Sequence, residues 1–150
     1  MNAVELLKQD HQKVKGLFRE YEAAGENAHK TKQGIVEKVF HELEIHAKIE
    51  EEIFYPAFKG KADDEGKDLV AESLQEHHVV KMLMQEMQPL EPDNPEYEAK
   101  FTVLMENVEH HADEEEKEMF PKARKALAAE LDQLGTRMEE RKRALMATTR

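Results

Sequence analysis

The chain has 150 residues, a formal net charge of −11, 37% charged residues and no cysteine. The charge argues against nucleic acid or an anionic membrane surface as the main partner, and the missing cysteine excludes a disulfide framework, a thiolate metal site and thiol catalysis. The length suits one domain with a real core, no apolar run approaches transmembrane length, and the opening residues lack a basic-then-apolar leader, so a cytoplasmic protein with no membrane partner is expected.

Six Gly, five Pro and eight Met suit a helical bundle with solvated outer faces and an adaptable interior. The first helix opens at Asn2, with Glu5 placed as in a capping box. Its apolar stripe runs Val4, Leu7, His11, Val14, Phe18, so a histidine interrupts the buried face from within. The segment from Gly25 to Lys30 ends it. Helix two is expected from about Thr31 to Pro56, with the stripe Ile35, Val39, Leu43, His46, Glu50, Ile53. Pro56 should end or kink it, because proline lacks the donor and crowds the preceding turn.

Helix three should start at Asp63 or Asp64 and end near Gln88, carrying Val70, Leu74, His77, Val80, Met84 and Met87. The stretch Pro89 to Pro95 breaks the chain and supplies Asn94 as cap with Pro95 at the first helical position. Helix four then reads Phe101, Leu104, Val108, His111, Glu115, kinks at Pro121 and continues to Leu131. Gly135 should break it, and Thr136 to Glu139 reads as a capping box for a short basic helix to about Met146. The expected fold is all-α: an antiparallel up-down-up-down four-helix bundle over residues 1–131, with a C-terminal helix and tail over 132–150.

One block occurs twice. His46 to Pro56 and His111 to Pro121 share His, Ala, Glu, Glu and Pro at equal offsets, with an aromatic before each Pro. Each contains His-x-x-x-Glu, which places an imidazole and a carboxylate on one helix face. A single such pair is weak in a chain with 33 acidic residues, and His110 with Glu114 forms another. That pair is rejected because its stripe would require Val103 and Asn107, whereas His111 continues Leu104 and Val108. One buried histidine alone would be an ordinary core residue bonded to a carboxylate. A histidine inside the apolar stripe of each of four helices, with Glu50 and Glu115, points to metal. The donor set His11, His46, Glu50, His77, His111 and Glu115 exceeds what one tetrahedral zinc accepts and suits two non-haem iron ions, with manganese or zinc as the fallback.

These residues make the chain resemble the hemerythrin family, in its bacterial hemerythrin-like (HHE cation-binding) branch, over about residues 5–125. The resemblance implies an oxo- or hydroxo-bridged di-iron centre that binds or reacts with O2, hydrogen peroxide or NO, with Glu50 and Glu115 bridging and the four histidines terminal. Two departures bear on activity. Oxygen carriers of the family have a His pair four apart on the third helix, where this chain has Ser73 and Lys81 around His77. Their last motif ends in Asp at offset five, where this chain has Glu115 at offset four. One iron should then keep an open position, which favours peroxide or NO detoxification; the alternative is O2 or iron binding, sensing or storage without turnover. A monomer or weak homo-oligomer is expected.

His29 is expected in a loop, and His41, His78 and His110 off the ligand face, although a shift of register would bring His78 or His110 in for its neighbour. Tyr55, nine residues past His46, falls nominally on the opposite face; a bulge before Pro56 would swing it toward the metal. The acidic runs Glu50 to Glu52 and Glu114 to Glu118 read as solvated faces or a ferrous-ion entry path. Without metal, Glu50 and Glu115 facing each other should have raised pKa values.

Overall fold

In a computed structural model describing residues 1–148, every regular element is helical. Four long helices form the bundle: α1 (Ala3–Ala23), α2 (His29–Ile49), α4 (Asp64–Met87) and α5 (Pro95–Glu114). Two rods extend beyond it. A five-residue π-helical turn, Glu50–Phe54, carries α2 into α3 (Tyr55–Lys61), and another, Glu115–Met119, carries α5 into α6 (Phe120–Ala126). A final helix, α7 (Leu131–Thr148), lies against α1 and α2. Positions 149 and 150 of the expected tail lie outside the described residues.

The caps follow the sequence. The Asn2 side chain accepts from the Glu5 backbone N–H at 2.9 Å while its amide donates to the Glu5 carboxylate at 2.7 Å. Asp63 accepts from the Gly66 N–H at 2.8 Å, and Asn94 from Glu96 at 2.9 Å with Pro95 first in α5. Each satisfies a donor that a helix start leaves orphaned.

Several local expectations change. His29 begins α2 and is not in a loop. Neither proline breaks its rod: Pro56 and Pro121 enter the first turns of α3 and α6 directly after the π-turns, where the wider turn relieves the missing N–H. Gly135 does not end a helix either. It sits inside α7, and a Cβ there would lie 2.1 Å from the Met1 carbonyl oxygen and 2.9 Å from Asn2 Cα. The glycine is therefore a contact surface, letting α7 rest on the backbone that starts α1. Thr136 bonds back to the Asp132 carbonyl and caps nothing.

Two apolar clusters fill the interior. One joins Leu7, Ile49, Phe54, Phe58 and Phe120 to Leu134 and Met138 of α7. The other joins Phe18, Val36, Val39, Met87, Phe101 and Leu104. The buried polar residues His11, His111 and Glu115 lie in the stretches of sequence between these two sets, and His46 and Glu50 lie beside Ile45, Ile49 and Ile53 of the first. Leu74, expected in the core, is 39% exposed. It lines a cleft whose other walls include Leu43, Val80 and Met84.

Candidate metal centre

The six residues singled out by the apolar stripes and the repeated block converge. His11 and His46 pack with ring centroids 5.1 Å apart, and His77 and His111 with centroids 5.0 Å apart. Between the pairs lie the two carboxylates. Glu50 Oε1 is 3.1 Å from Nε2 of both His46 and His77. Glu115 Oε1 is 3.1 Å from His11 Nε2, and its Oε2 is 3.4 Å from His111 Nε2. Each carboxylate thus reaches one imidazole of each pair, as a bridging ligand would. The donor atoms sort into two groups of three, His11–His46–Glu115 and Glu50–His77–His111, each within 4.8 Å.

The other ring nitrogens are held as consistently. Nδ1–H of His11 donates to Glu116 at 2.7 Å, that of His46 to Asp10 at 2.9 Å, that of His77 to Glu51 at 2.7 Å and that of His111 to Glu76 at 2.5 Å. A carboxylate on Nδ1 fixes the tautomer that leaves the Nε2 lone pair facing the centre, the arrangement metal-ligating histidines use. Sequence reasoning missed all four carboxylates. Each is the chain neighbour of a ligand, but serves a histidine on a different helix: Asp10 (next to His11) serves His46, Glu51 serves His77, Glu76 serves His111, and Glu116 serves His11. The ring closes around the bundle.

The centre is suited to a cation. Glu50 is 0% exposed, and both its oxygens, together with His46 Nε2, have no hydrogen-bond partner despite the short approaches. A buried carboxylate with unmet acceptors is costly unless positive charge compensates it. In the metal-free protein, protons take that place. Burial works against a charged His46, but the Glu50 carboxylate and the Asp10 hydrogen bond outweigh it and hold the imidazole well above its ordinary value. His77 is raised likewise, by the Glu50 carboxylate beside it and its hydrogen bond to Glu51, and His111 is pushed up to about 10, chiefly by Glu115, both against burial. The expectation for Glu115 reverses. Burial raises it, yet the His111 charge, the nearby Glu50 and hydrogen bonds from His11 and His111 hold it well below the carboxylate range.

Tyr55 also arrives. Its hydroxyl donates to Glu115 Oε2 at 2.5 Å and stands 3.4 Å from Nε2 of both His77 and His111. Nine residues of regular helix would turn it about 180° from His46, but one residue absorbed by the π-turn leaves it about 80° away. Phe120, at the equivalent place in the second block, stacks on His11 at 5.9 Å.

The histidines left aside stay outside: His78 is exposed, and His110 has a 71% exposed side chain paired with Glu114. Glu51 and Glu116 support histidines and are not simply a solvated face, whereas Glu52 pairs with Arg141 at 2.8 Å. A cleft of about 760 Å³, floored by the four histidines, leads from the surface to the centre. Among the described residues no helix is long and apolar enough to cross a membrane.

Comparison with known proteins agrees. The chain matches the hemerythrin HHE cation binding domain over residues 2–123. It is 32% identical over 143 residues to the uncharacterized Mycobacterium tuberculosis protein Rv2633c, covering 94% of this chain and 85% of that one. A hemerythrin-like protein of Schizosaccharomyces pombe is 28% identical over 121 residues, covering 81% of this chain and 59% of its own length. The crystal structure of a hemerythrin HHE cation binding domain-containing protein, the Rv2633c homolog from Mycobacterium kansasii, superposes with a TM-score of 0.84 at 30% identity, covering 99% of this chain and 89% of that chain. With that match spanning both histidine–glutamate blocks, the chain belongs to the hemerythrin HHE cation binding domain family.

Proposed function

We propose that this protein is a non-haem di-iron protein that consumes hydrogen peroxide. The observation that carries the reading is the pair of buried carboxylates, each reaching one imidazole of both histidine pairs. His11 and His46 would hold one ion, His77 and His111 the other, with Glu50 and Glu115 shared between them. Six nitrogen and oxygen donors without thiolate suit iron better than one tetrahedral zinc. Two iron ions there would supply the two-electron redox change that splitting an O–O bond requires.

The chain's own groups supply the rest. The cleft admits a small molecule to the histidine floor. Phe54 and Phe120, both 0% exposed, keep water from the opposite side. The Tyr55 hydroxyl keeps its proton and donates it as a hydrogen bond to Glu115 at 2.5 Å, which holds that carboxylate in place at the centre. Disproportionation, two hydrogen peroxide to two water and one O2, balances without an outside reductant. That makes it the peroxide reaction this architecture can complete alone, and NO or O2 would enter by the same cleft.

Elemental analysis, an optical spectrum and oxygen evolution from peroxide test the proposal together. Expected are two iron atoms per chain and O2 release above that of free iron, abolished by His46→Ala or Glu115→Ala. One zinc per chain would sink the di-iron assignment. Two irons with no peroxide loss and reversible O2 uptake would replace the enzyme by a binding protein.

A further inference from the structure

The two halves of the centre are built as a repeat. Asp10 and His11 on α1 correspond to Glu76 and His77 on α4; His46 and Glu50 correspond to His111 and Glu115. Asp10 therefore supports His46 as Glu76 supports His111. Among the four carboxylates that support the histidines, one departs from the repeat. Lys142 Nζ donates to Asp10 Oδ1 at 2.5 Å, while Oδ2 accepts from His46 Nδ1–H at 2.9 Å. Among the described residues no lysine or arginine forms an ion pair with Glu76, Glu51 or Glu116. Around Glu76 are His111, His110 and the carboxylate of Glu114 instead. Lys142 lies on α7, beyond residues 2–123 that match the family domain.

We infer that Lys142 is a positioning residue for His46, acting through Asp10, so that the C-terminal helix completes one of the two metal sites and not the other. The Asp10 side chain is 5% exposed and the Lys142 side chain 21%. An ammonium on Oδ1 compensates the buried carboxylate and fixes its rotamer, which keeps Oδ2 on the imidazole. Without it, Asp10 would turn toward water and His46 would lose the bond that fixes its tautomer. Lys142 is not needed to dock the helix. Leu131, Leu134, Met138 and Leu145 of α7 are all buried in the apolar cluster, and Gly135 rests on the N-terminal backbone.

The inference rests on the two-site metal reading, and one experiment separates them. Metal-free wild type, Lys142→Met, Lys142→Arg and Arg141→Ala are titrated anaerobically with Fe(II) by calorimetry. Lys142→Met keeps the apolar stem and removes the charge. It should weaken one of two sites about 10–100-fold, the range for losing an outer-shell partner, and leave the other within about twofold. Lys142→Arg should restore most of the loss. Arg141→Ala, which cuts the exposed Glu52 pair on the same helix, should change neither site. Equal weakening of both sites, no weakening, or the same effect from Arg141→Ala overturns the inference while the metal reading stands. Wild type that takes up no iron brings down both. If Lys142→Met does not fold, Lys142→Gln carries the same expectation.

Discussion

Tyr55 and Phe120 occupy equivalent places in the two halves of the centre, and they differ by one hydroxyl. Each precedes the proline of its block and follows a π-turn. The Tyr55 hydroxyl gives Glu115 a hydrogen bond at 2.5 Å, while both oxygens of Glu50, the partner of Glu115 in the repeat, have none. A hydrogen bond to a buried charged group contributes about 1.5–3 kcal/mol. Tyr55→Phe should therefore destabilise the metal-free protein by about that amount. Phe120→Tyr places a donor on the side of Glu50 and should recover about 1 kcal/mol, less the cost of fitting an extra atom. Urea denaturation in chelator checks both; identical midpoints for the three proteins would contradict the pairing. In iron-loaded protein, a visible charge-transfer band lost in Tyr55→Phe would show the phenol to be a ligand.

On the di-iron reading, metal and protons compete for Nε2 of His46, His77 and His111, and this sets two opposite pH trends. The folded metal-free protein raises His111 from 6.5 to about 10. Stabilisation from that charge is fully present below the unfolded pKa near 6.5 and is lost as pH rises through about 10. His46 and His77 shift in the same direction. Metal binding needs those imidazoles neutral, so the stabilisation it adds should grow over the same interval. Scanning calorimetry from pH 6.5 upward should show the metal-free melting temperature falling and the increment due to metal increasing. Loading near pH 7 should also release protons, read from the dependence of the binding heat on the buffer. An increment that shrinks with pH would refute the competition.

The positions of the six candidate ligands were legible because regular helix relates stripe to seam: His11 between Leu7 and Val14, and His111 after Leu104 and Val108, can only face inward. Tyr55 was legible only as the alternative that a bulge before Pro56 would open, because its angle depends on five residues of π-helix that no periodicity count includes. The outer carboxylates were missed for a different reason. Asp10 lies about 100° around α1 from His11, which reads as leaving the site, yet in a bundle that direction is the neighbouring helix. Gly135 misled through its helix-breaking reputation, since its lack of a side chain serves a close crossing and not a terminus.

That crossing gives a direct test. In an exposed helix, Gly→Ala stabilises by about 1 kcal/mol. At Gly135 the added Cβ would fall 2.1 Å from the Met1 carbonyl oxygen and 2.8 Å from the Asn2 carbonyl carbon. The N-terminus must shift, which disturbs the Asn2 cap, so the balance turns unfavourable by about 1–3 kcal/mol, as overpacking typically does. Thermal melting of Gly135→Ala should be lower than wild type. A higher melting temperature would mean that α7 does not rest on that backbone.

The family's second histidine on the third helix would stand where this chain has Ser73 or Lys81, and the fold decides between them. Ser73 is 4% exposed and its hydroxyl interacts with that of Tyr55, whereas Lys81 is exposed at the cleft. The space that a histidine at position 73 would enter is thus the space the phenol already uses. Ser73→His alone should be overpacked and lose about 1–3 kcal/mol. Coupled with Tyr55→Ala, which vacates volume, it should fold and exchange a phenol for an imidazole. If peroxide reacts at the position Tyr55 borders, a firmly bound nitrogen there should slow peroxide loss at least about tenfold, worth about 1.4 kcal/mol of barrier, and favour reversible O2 uptake. Tyr55→Ala alone is the control, since it opens the position without refilling it. Peroxide loss equal in the double variant and this control would place the reacting position elsewhere, on the His11–His46 side.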